Sequence, residues 1–202
     1  MKKLLILFAL FLGLVTAEAQ KKESGENDPD LKRSRELVAK KDYEQAIIYL
    51  TRSAERGNVT AISTIAYMHY GGYGVSQNYG TALEWYKKAI DIEKSEKTAE
   101  VMCIISGMYY EGLGTTKNSK EAMKWLKMAA EYKDADSMRR IGDFYMSGKG
   151  EVKTSVSEGI KWYEKAYNAG IKELQGTIAE IYEFGYGDVE KNSKLAKEWK
   201  NK

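Results

Sequence analysis

Tryptophan recurs along this chain at an almost constant interval. The four tryptophans follow one another at spacings of 40, 37 and 37 residues, and each stands three positions after a small residue. The tryptophans are Trp85, Trp125, Trp162 and Trp199, and the small residues are Ala82, Ala122, Gly159 and Ala196. A fixed interval of this length indicates a repeat protein, in which each unit is one supersecondary element that stacks on its neighbours.

A second series runs in phase with the tryptophans. Two glycines separated by one residue recur four times, preceded by an isoleucine and a small residue and, three positions before the pair, by an aromatic or histidine ring. The pairs are Gly72-Tyr73-Gly74, Gly112-Leu113-Gly114, Gly148-Lys149-Gly150 and Gly185-Tyr186-Gly187, and the rings are His69, Tyr109, Tyr145 and Tyr182. Because glycine adopts positive φ without strain, we expect each pair to end one helix and begin the turn to the next.

The segments around the tryptophans have the apolar pattern of amphipathic helices. Apolar residues recur there at i, i+3, i+4 and i+7, with charged residues between them. A residue that favours the N-cap position stands four residues before each of the four small residues, and also before Ala46, which continues the series toward the N-terminus. These residues are Asp42, Asn78, Asn118, Ser155 and Asn192. We therefore predict an all-α chain with one helical-repeat domain over residues 30–202, built from about five antiparallel helix pairs. The expected pairs are 30–57, 58–97, 98–133, 134–170 and 171–202, with a polar insertion at 93–97.

The first residues have the composition of a targeting signal. Lys2 and Lys3 precede an apolar run, and Ala17-Glu18-Ala19 matches the small-residue pattern of a signal-peptidase site. The run is shorter than the ~20 apolar residues that span a bilayer. We expect a signal peptide over residues 1–19, a flexible tether over 20–29, and no membrane span in the mature chain, which would be periplasmic or secreted. The alternative is an uncleaved membrane anchor.

The repeat resembles the Sel-one-like repeat (SLR) family, a tetratricopeptide-like group with members in bacterial envelopes. The resemblance rests on the order Ile-small, ring, Gly-x-Gly, N-cap and Ala-x-x-Trp, and it covers about Asp42 to Trp199. It implies a right-handed α-solenoid with a concave groove lined by the first helices, and an adaptor or scaffold role in protein complexes. The sequence departs from the pattern at His69, which replaces the ring tyrosine, and at Lys133, where other repeats have glycine.

The composition excludes several kinds of chemistry. A single histidine and a single cysteine exclude a multi-histidine metal site and a thiolate cage, and a net charge of +3 is too small for an obvious nucleic-acid binder. We expect no catalytic residue, no metal, no cofactor and no enzymatic activity. His69 fits a packed ring better than a general base, and the tryptophans fit core positions better than carbohydrate-stacking positions. Cys103 is either buried, which we favour, or paired between chains.

The remaining positions on the first helices are candidates for a binding surface. They change from aromatic to charged along the chain, as Tyr67, Tyr70, Tyr73, Tyr110, Asp143, Met146, Glu180 and Glu183. Tyrosine is favoured at protein interfaces, so we expect a protein or peptide partner. The alternative is that these rings only cover seams between repeats.

The sequence thus predicts a secreted or periplasmic, non-enzymatic protein-binding scaffold. One alternative is a cell-envelope enzyme or binder that acts on cell-wall or β-lactam-like ligands. Another is a subunit that stabilises an assembly through its terminal repeat. The identity of the partner and the oligomeric state stay open at this point.

Export can be tested on the N-terminus. When the full chain is expressed in a bacterium with a general secretory pathway, we expect cleavage after Ala19, because the apolar run and the Ala-x-Ala pattern suit signal peptidase. Intact mass and N-terminal sequencing should place the mature start at Gln20. A membrane-associated protein that retains Met1 would instead support the uncleaved anchor.

Overall fold

The computed structural model describes residues 25–149 and 152–202. These residues form five successive helix pairs, which confirms the all-α architecture expected from the repeats. The pairs are α1 (Pro29–Ala39) with α2 (Tyr43–Glu55), α3 (Val59–Gly71) with α4 (Tyr79–Ile92), α5 (Glu96–Glu111) with α6 (Ser119–Glu131), α7 (Ala135–Ser147) with α8 (Val156–Asn168), and α9 (Leu174–Phe184) with α10 (Ser193–Lys200). The expected signal peptide, the tether up to residue 24 and Gly150 lie outside the described residues.

The helices are distributed over two compact units that divide after Glu93. In the N-terminal unit, α1 to α4 pack in sequence around a core that includes Leu31, Leu50, Ile62 and Ile65. In the C-terminal unit, α5 to α10 also pack in sequence, and α5 additionally contacts α7. Its core contains Leu126 and Ile141 in one cluster and Ile160, Ile178 and Trp199 in another. Burial of these apolar side chains is the main favourable contribution to the stability of each unit.

The second helix of each pair follows directly after the N-cap residue that the sequence predicts. The capping side chain accepts a hydrogen bond from the backbone amide three residues later, at distances of 2.9 to 3.3 Å. The five caps are Asp42, Asn78, Asn118, Ser155 and Asn192. Each cap satisfies an amide that the helix itself leaves without a partner, so the starts of the second helices are fixed locally.

The first glycine of each pair ends a first helix in the left-handed region, with φ between 65° and 78°. After this turn, the backbone amide of the next N-cap donates to the carbonyl of the ring position. The four bonds are Asn78 to His69 at 2.9 Å, Asn118 to Tyr109 at 2.8 Å, Ser155 to Tyr145 at 2.9 Å and Asn192 to Tyr182 at 2.6 Å. Each bond joins the end of a first helix to the start of the second and sets their antiparallel arrangement.

The second glycine of a pair lets the turn approach the preceding helix pair closely. A Cβ added at Gly74 would lie 2.5 Å from Cβ of Tyr43, and one added at Gly187 would lie 2.5 Å from Cγ2 of Val156. Because side-chain atoms do not approach this closely, any larger residue would push the turn away from α2 or α8. At these two positions glycine is therefore required for packing between successive helix pairs.

The tryptophans are less buried than expected. Trp199 is in the core, whereas Trp85, Trp125 and Trp162 are only half-buried. Trp85 and Trp162 still pack against the core clusters of their units, so they lie at the edge of the core and not inside it. The residue directly after each half-buried tryptophan is buried. These residues are Tyr86, Leu126 and Tyr163. Lysines three positions later lie over two of the half-buried rings, at 4.7 Å for Trp85 and 3.9 Å for Trp162. Such cation–π contacts cover the rings at the helix surface.

One connection keeps the left-handed backbone although its sequence lacks glycine, and another is shorter than the sequence predicts. Lys133, at a position where other repeats have glycine, still adopts a left-handed φ of 62°. The charged segment 93–97 is only partly a connection, because α4 ends at Ile92 and α5 begins at Glu96. Ser95 caps α5 by accepting from the amide of Lys97 at 3.2 Å. The last two residues of that segment therefore belong to a helix.

The start of the repeat domain is anchored before residue 30. Asp28, assigned by sequence to the tether, is fully buried and caps α1 by accepting from the amides of Asp30 and Leu31. Its carboxylate also accepts from Ser53 at 2.8 Å and from Arg56 at 2.6 Å, both near the end of α2. The end of the expected tether is thus part of the first helix pair.

Asp28 should make the N-terminal unit sensitive to acid. Burial raises the pKa of Asp28, but the hydrogen bonds from Arg56, Ser53 and the Leu31 amide outweigh burial, so its pKa lies below the ordinary value. The ionised carboxylate stabilises the fold above the unfolded-state pKa of about 4, and this contribution is lost as the pH falls through the lower folded-state pKa. We expect Asp28→Asn to lower the free energy of unfolding by about 1–3 kcal/mol at neutral pH.

Urea unfolding of both proteins between about pH 7 and pH 2 measures this effect, and the difference between them should shrink toward the acidic end. Glu36→Gln is the matched control, because it removes an exposed carboxylate paired with Arg33 and should leave the stability unchanged. A pH-independent difference would show that the charge of Asp28 does not stabilise the unit.

Candidate functional site

The C-terminal unit contains an open cleft between α5 and α7. Its volume is about 650 Å³, and α6 and α8 contribute one lining residue each, Leu126 and Tyr163. Three of the residues predicted for the binding surface line this cleft, namely Tyr110, Asp143 and Met146. The structure therefore brings together predicted residues from two successive first helices.

The cleft is open because one helix position has no side chain. Gly107 lines it on α5, and the equivalent positions of the other repeats, two residues after the isoleucine, are Tyr67, Asp143 and Glu180. A Cβ added at Gly107 would contact only Nη1 of Arg140, at 3.8 Å, with nothing else within 4 Å. A glycine inside a helix costs about 0.5–1 kcal/mol relative to alanine, so Gly107 leaves space at the expense of stability.

One wall of the cleft is aromatic and apolar. Tyr110 on α5 meets Phe144 on α7 edge to face, with ring centroids 5.2 Å apart. The ammonium of Lys117 lies 5.1 Å from the centroid of Tyr110. The side chain of Met146 passes over Gly159 of α8, where an added Cβ would lie 2.9 Å from its Cγ. These contacts position Tyr110 and Met146 while leaving both partly accessible.

The other wall is a network of charged side chains. Arg139 donates to Asp136 at 2.6 Å and to Asp143 at 2.9 Å, and the hydroxyl of Tyr163 donates to Asp143 at 2.7 Å. Arg140 donates through Nε to Asp136 at 2.7 Å. Burial, followed by the neighbouring Asp143 carboxylate, raises the pKa of Tyr163, so this hydroxyl stays protonated as a donor. The network fixes Asp143 in place and neutralises its charge.

The single cysteine and the single histidine of the chain lie in different units. Cys103 is buried, as favoured from the sequence, and its thiol lies 3.4 Å from Asp136. Burial raises the pKa of Cys103 to about 11, which keeps the thiol protonated at neutral pH. His69 lies half-buried at the ring position of α3. Among the described residues, no group of three or more acidic, histidine or cysteine side chains is arranged to hold a metal ion.

The predicted tyrosines of the N-terminal unit form two separate contacts. Tyr67 and Tyr73 stack with ring centroids 5.4 Å apart, and Tyr43 of α2 leans on Tyr73 at the same centroid distance. Tyr70 instead meets Tyr79 edge to face at 5.2 Å. Tyr67 and Tyr73 are exposed, with accessible fractions of 53% and 37%. The rings thus form a small tyrosine platform beside a separate Tyr70–Tyr79 contact.

The two predicted glutamates on α9 do not line the cleft. Glu183 forms an exposed ion pair with Lys200 of α10 at 2.6 Å. Glu180 is exposed on α9. The charged half of the predicted surface is therefore divided between the cleft and the last helix pair.

The sequence analysis missed several residues that shape the cleft. The predicted binding surface does not include Arg139, Arg140 or Gly107. The signal for Gly107 was present, because a glycine stands inside a helix where other repeats carry a large or charged residue. The arginine network also had a signal, because its three ion pairs join residues three or four apart on α7. Within this network, only the hydrogen bond from Tyr163 of α8 to Asp143 depends on a contact between helices.

A family model of the Sel1 repeat matches residues 37–58, 61–92, 99–131, 135–171 and 177–199. The chain belongs to the Sel1 repeat family. The matched segments follow the five helix pairs, and this confirms the resemblance drawn from the glycine and tryptophan series. A search of the curated proteins finds no match.

Two solved structures share the Sel1 repeat fold with this chain. A Sel1 repeat protein from Oxalobacter formigenes is 28% identical with a TM-score of 0.71, and the match covers 84% of this chain and 66% of that protein. The protective antigen c5321 of uropathogenic Escherichia coli, which displays an SLR fold, is 29% identical with a TM-score of 0.75, and the match covers 92% of this chain and 40% of c5321. This chain spans less than two thirds of either protein.

The Sel1 repeat is commonly a protein-interaction scaffold. None of the described helices of this chain is both long enough and apolar enough to cross a membrane.

Proposed function

We propose that this Sel1 repeat protein is an exported, non-enzymatic scaffold that holds a peptide segment of a partner protein in the cleft between α5 and α7. The observation that carries the proposal is the gap at Gly107, beside fixed aromatic and polar side chains. A cleft of about 650 Å³ falls within the range of ~300–1,000 Å³ typical of ligand sites. It has room for a few side chains of an extended peptide.

The composition of the walls suits a peptide. Tyr110, Phe144 and Met146 offer apolar contact area, and rigid aromatic side chains lose little conformational entropy on binding. The charged network offers hydrogen bonds on the opposite side, held by Asp136 and Asp143. An apolar wall facing positioned polar groups is the usual arrangement of a specific binding site.

The same geometry argues against catalysis in the cleft. General acid–base chemistry needs a group able to exchange a proton near neutral pH. Asp143 is held by Arg139 and Tyr163, and arginine contacts lower the pKa of Asp136 despite the opposing effect of burial. The Cys103 thiol is protonated and buried. We therefore favour binding over the alternative of a cell-envelope enzyme.

The proposal includes export. The leader pattern in the first residues supports a periplasmic or secreted location, where the partner would be an envelope or extracellular protein.

Filling the gap at Gly107 tests the cleft. We expect Gly107→Tyr to weaken binding of peptides selected by the wild-type protein from a random-sequence library by at least about tenfold, because the ring would occupy the cleft. The fold should tolerate this side chain, since Tyr67 occupies the equivalent position on α3 with 53% of its surface exposed. Fluorescence anisotropy with labelled peptides gives the affinities, and circular dichroism checks the helix content.

Gly107→Ala is the matched control. It should leave the affinity within about threefold of wild type, because a single methyl group makes only an ordinary contact with Arg140. It should also raise the free energy of unfolding by about 0.5–1 kcal/mol. Equal binding by the tyrosine variant and the wild-type protein would rule out the cleft as the binding site.

A further inference from the structure

Arg140 has unused hydrogen-bond donors inside the cleft. Its Nε donates to Asp136 at 2.7 Å, and its two terminal nitrogens make no hydrogen bond with any described residue. One of them, Nη1, lies at the gap above Gly107, 3.8 Å from the position of an added Cβ. The bond to Asp136 fixes the orientation of the guanidinium, so little further ordering is needed when a ligand binds.

Arg139 and Asp143, two other charged side chains of the cleft, already have partners. Arg139 is bound to Asp136 and Asp143, and Asp143 also accepts from Tyr163. The remaining charged side chains of the lining, Glu111 on α5 and Lys149 after α7, have opposite signs and cancel in net charge. Arg140 differs from these groups because its terminal nitrogens lie at the gap above Gly107 without a partner among the described residues.

We infer that the cleft recognises a peptide carrying a carboxylate next to an apolar side chain, with the carboxylate bound by the terminal nitrogens of Arg140. A planar guanidinium edge matches the two oxygens of a carboxylate, and such charge-assisted pairs are stronger than neutral hydrogen bonds. The apolar side chain would pack against Tyr110 and Phe144, whose edge-to-face contact forms the facing wall. This inference rests on the proposed function and adds the chemistry of the bound segment.

The first test compares peptides selected from a random-sequence library by the wild-type protein and by an Arg140→Gln variant. The wild-type protein should enrich peptides with Asp or Glu beside an apolar residue. The variant should keep the apolar preference and lose the acidic one. An acidic preference that is absent from the wild-type selection, or unchanged in the variant, would overturn the inference.

The second test measures one selected peptide and its counterpart with the acidic residue replaced by its amide. For the wild-type protein, the acidic peptide should bind about tenfold more tightly at low salt, and the difference should shrink as ionic strength rises. Arg140→Gln should bind both peptides equally. Lys127→Gln is the matched control, because it removes an exposed positive charge on α6 outside the cleft lining and should keep the preference for the acidic peptide.

The outcomes separate the inference from the proposed function. If the selected peptides bind Gly107→Tyr more weakly than the wild-type protein but show no preference for acidic residues, the cleft is confirmed as the binding site and the role of Arg140 is overturned. Peptides that bind Gly107→Tyr as tightly as wild type, or a selection that enriches nothing, would overturn both. Circular dichroism should show unchanged helix content for Arg140→Gln, since its ion pair with Asp136 is solvent-exposed.

Discussion

One backbone hydrogen bond, repeated four times, underlies the architecture of this chain. The amide of each N-cap donates to the carbonyl of the ring position in the preceding helix, across a left-handed glycine. This bond closes the turn between the two helices of a pair and satisfies groups that a helix end would otherwise leave without partners. The bond requires a glycine and a capping residue, but it does not involve the side chain at the ring position, because both of its groups belong to the main chain. His69 can therefore replace tyrosine without changing the turn.

Once the turns are set by the backbone, many side chains on the first helices are free to vary. The isoleucine and the small residue of each repeat are buried, whereas the position two residues after the isoleucine lies outside the core as Tyr67, Gly107, Asp143 or Glu180. In the third repeat this position is Gly107, and the missing side chain leaves a gap. Aromatic rings border the gap on one side and an arginine borders it on the other. The repeat thus supplies the scaffold, and departures from it supply the candidate site.

The helix pairs, the caps and the turns could be predicted from the sequence because they depend on contacts close along the chain. Asn118, for example, caps its own helix, and Gly112 ends the one before it. The surfaces could not be predicted equally well. The buried Asp28 is paired with Arg56, which follows α2, and the hydrogen bond from Tyr163 to Asp143 joins α8 to α7. Helical periodicity placed the tryptophans on the apolar face but did not show that lysines would cover two of them at its edge.

The central claim is that the protein binds peptides at the cleft left open by Gly107, and hydrogen–deuterium exchange with a saturating library-selected peptide tests it most directly. We predict slower exchange in residues 106–111 and 139–147, unchanged exchange in α3, and no slowing when the same peptide is added to Gly107→Tyr. Protection confined to α3 and its tyrosine platform, or protection that persists in Gly107→Tyr, would contradict the account.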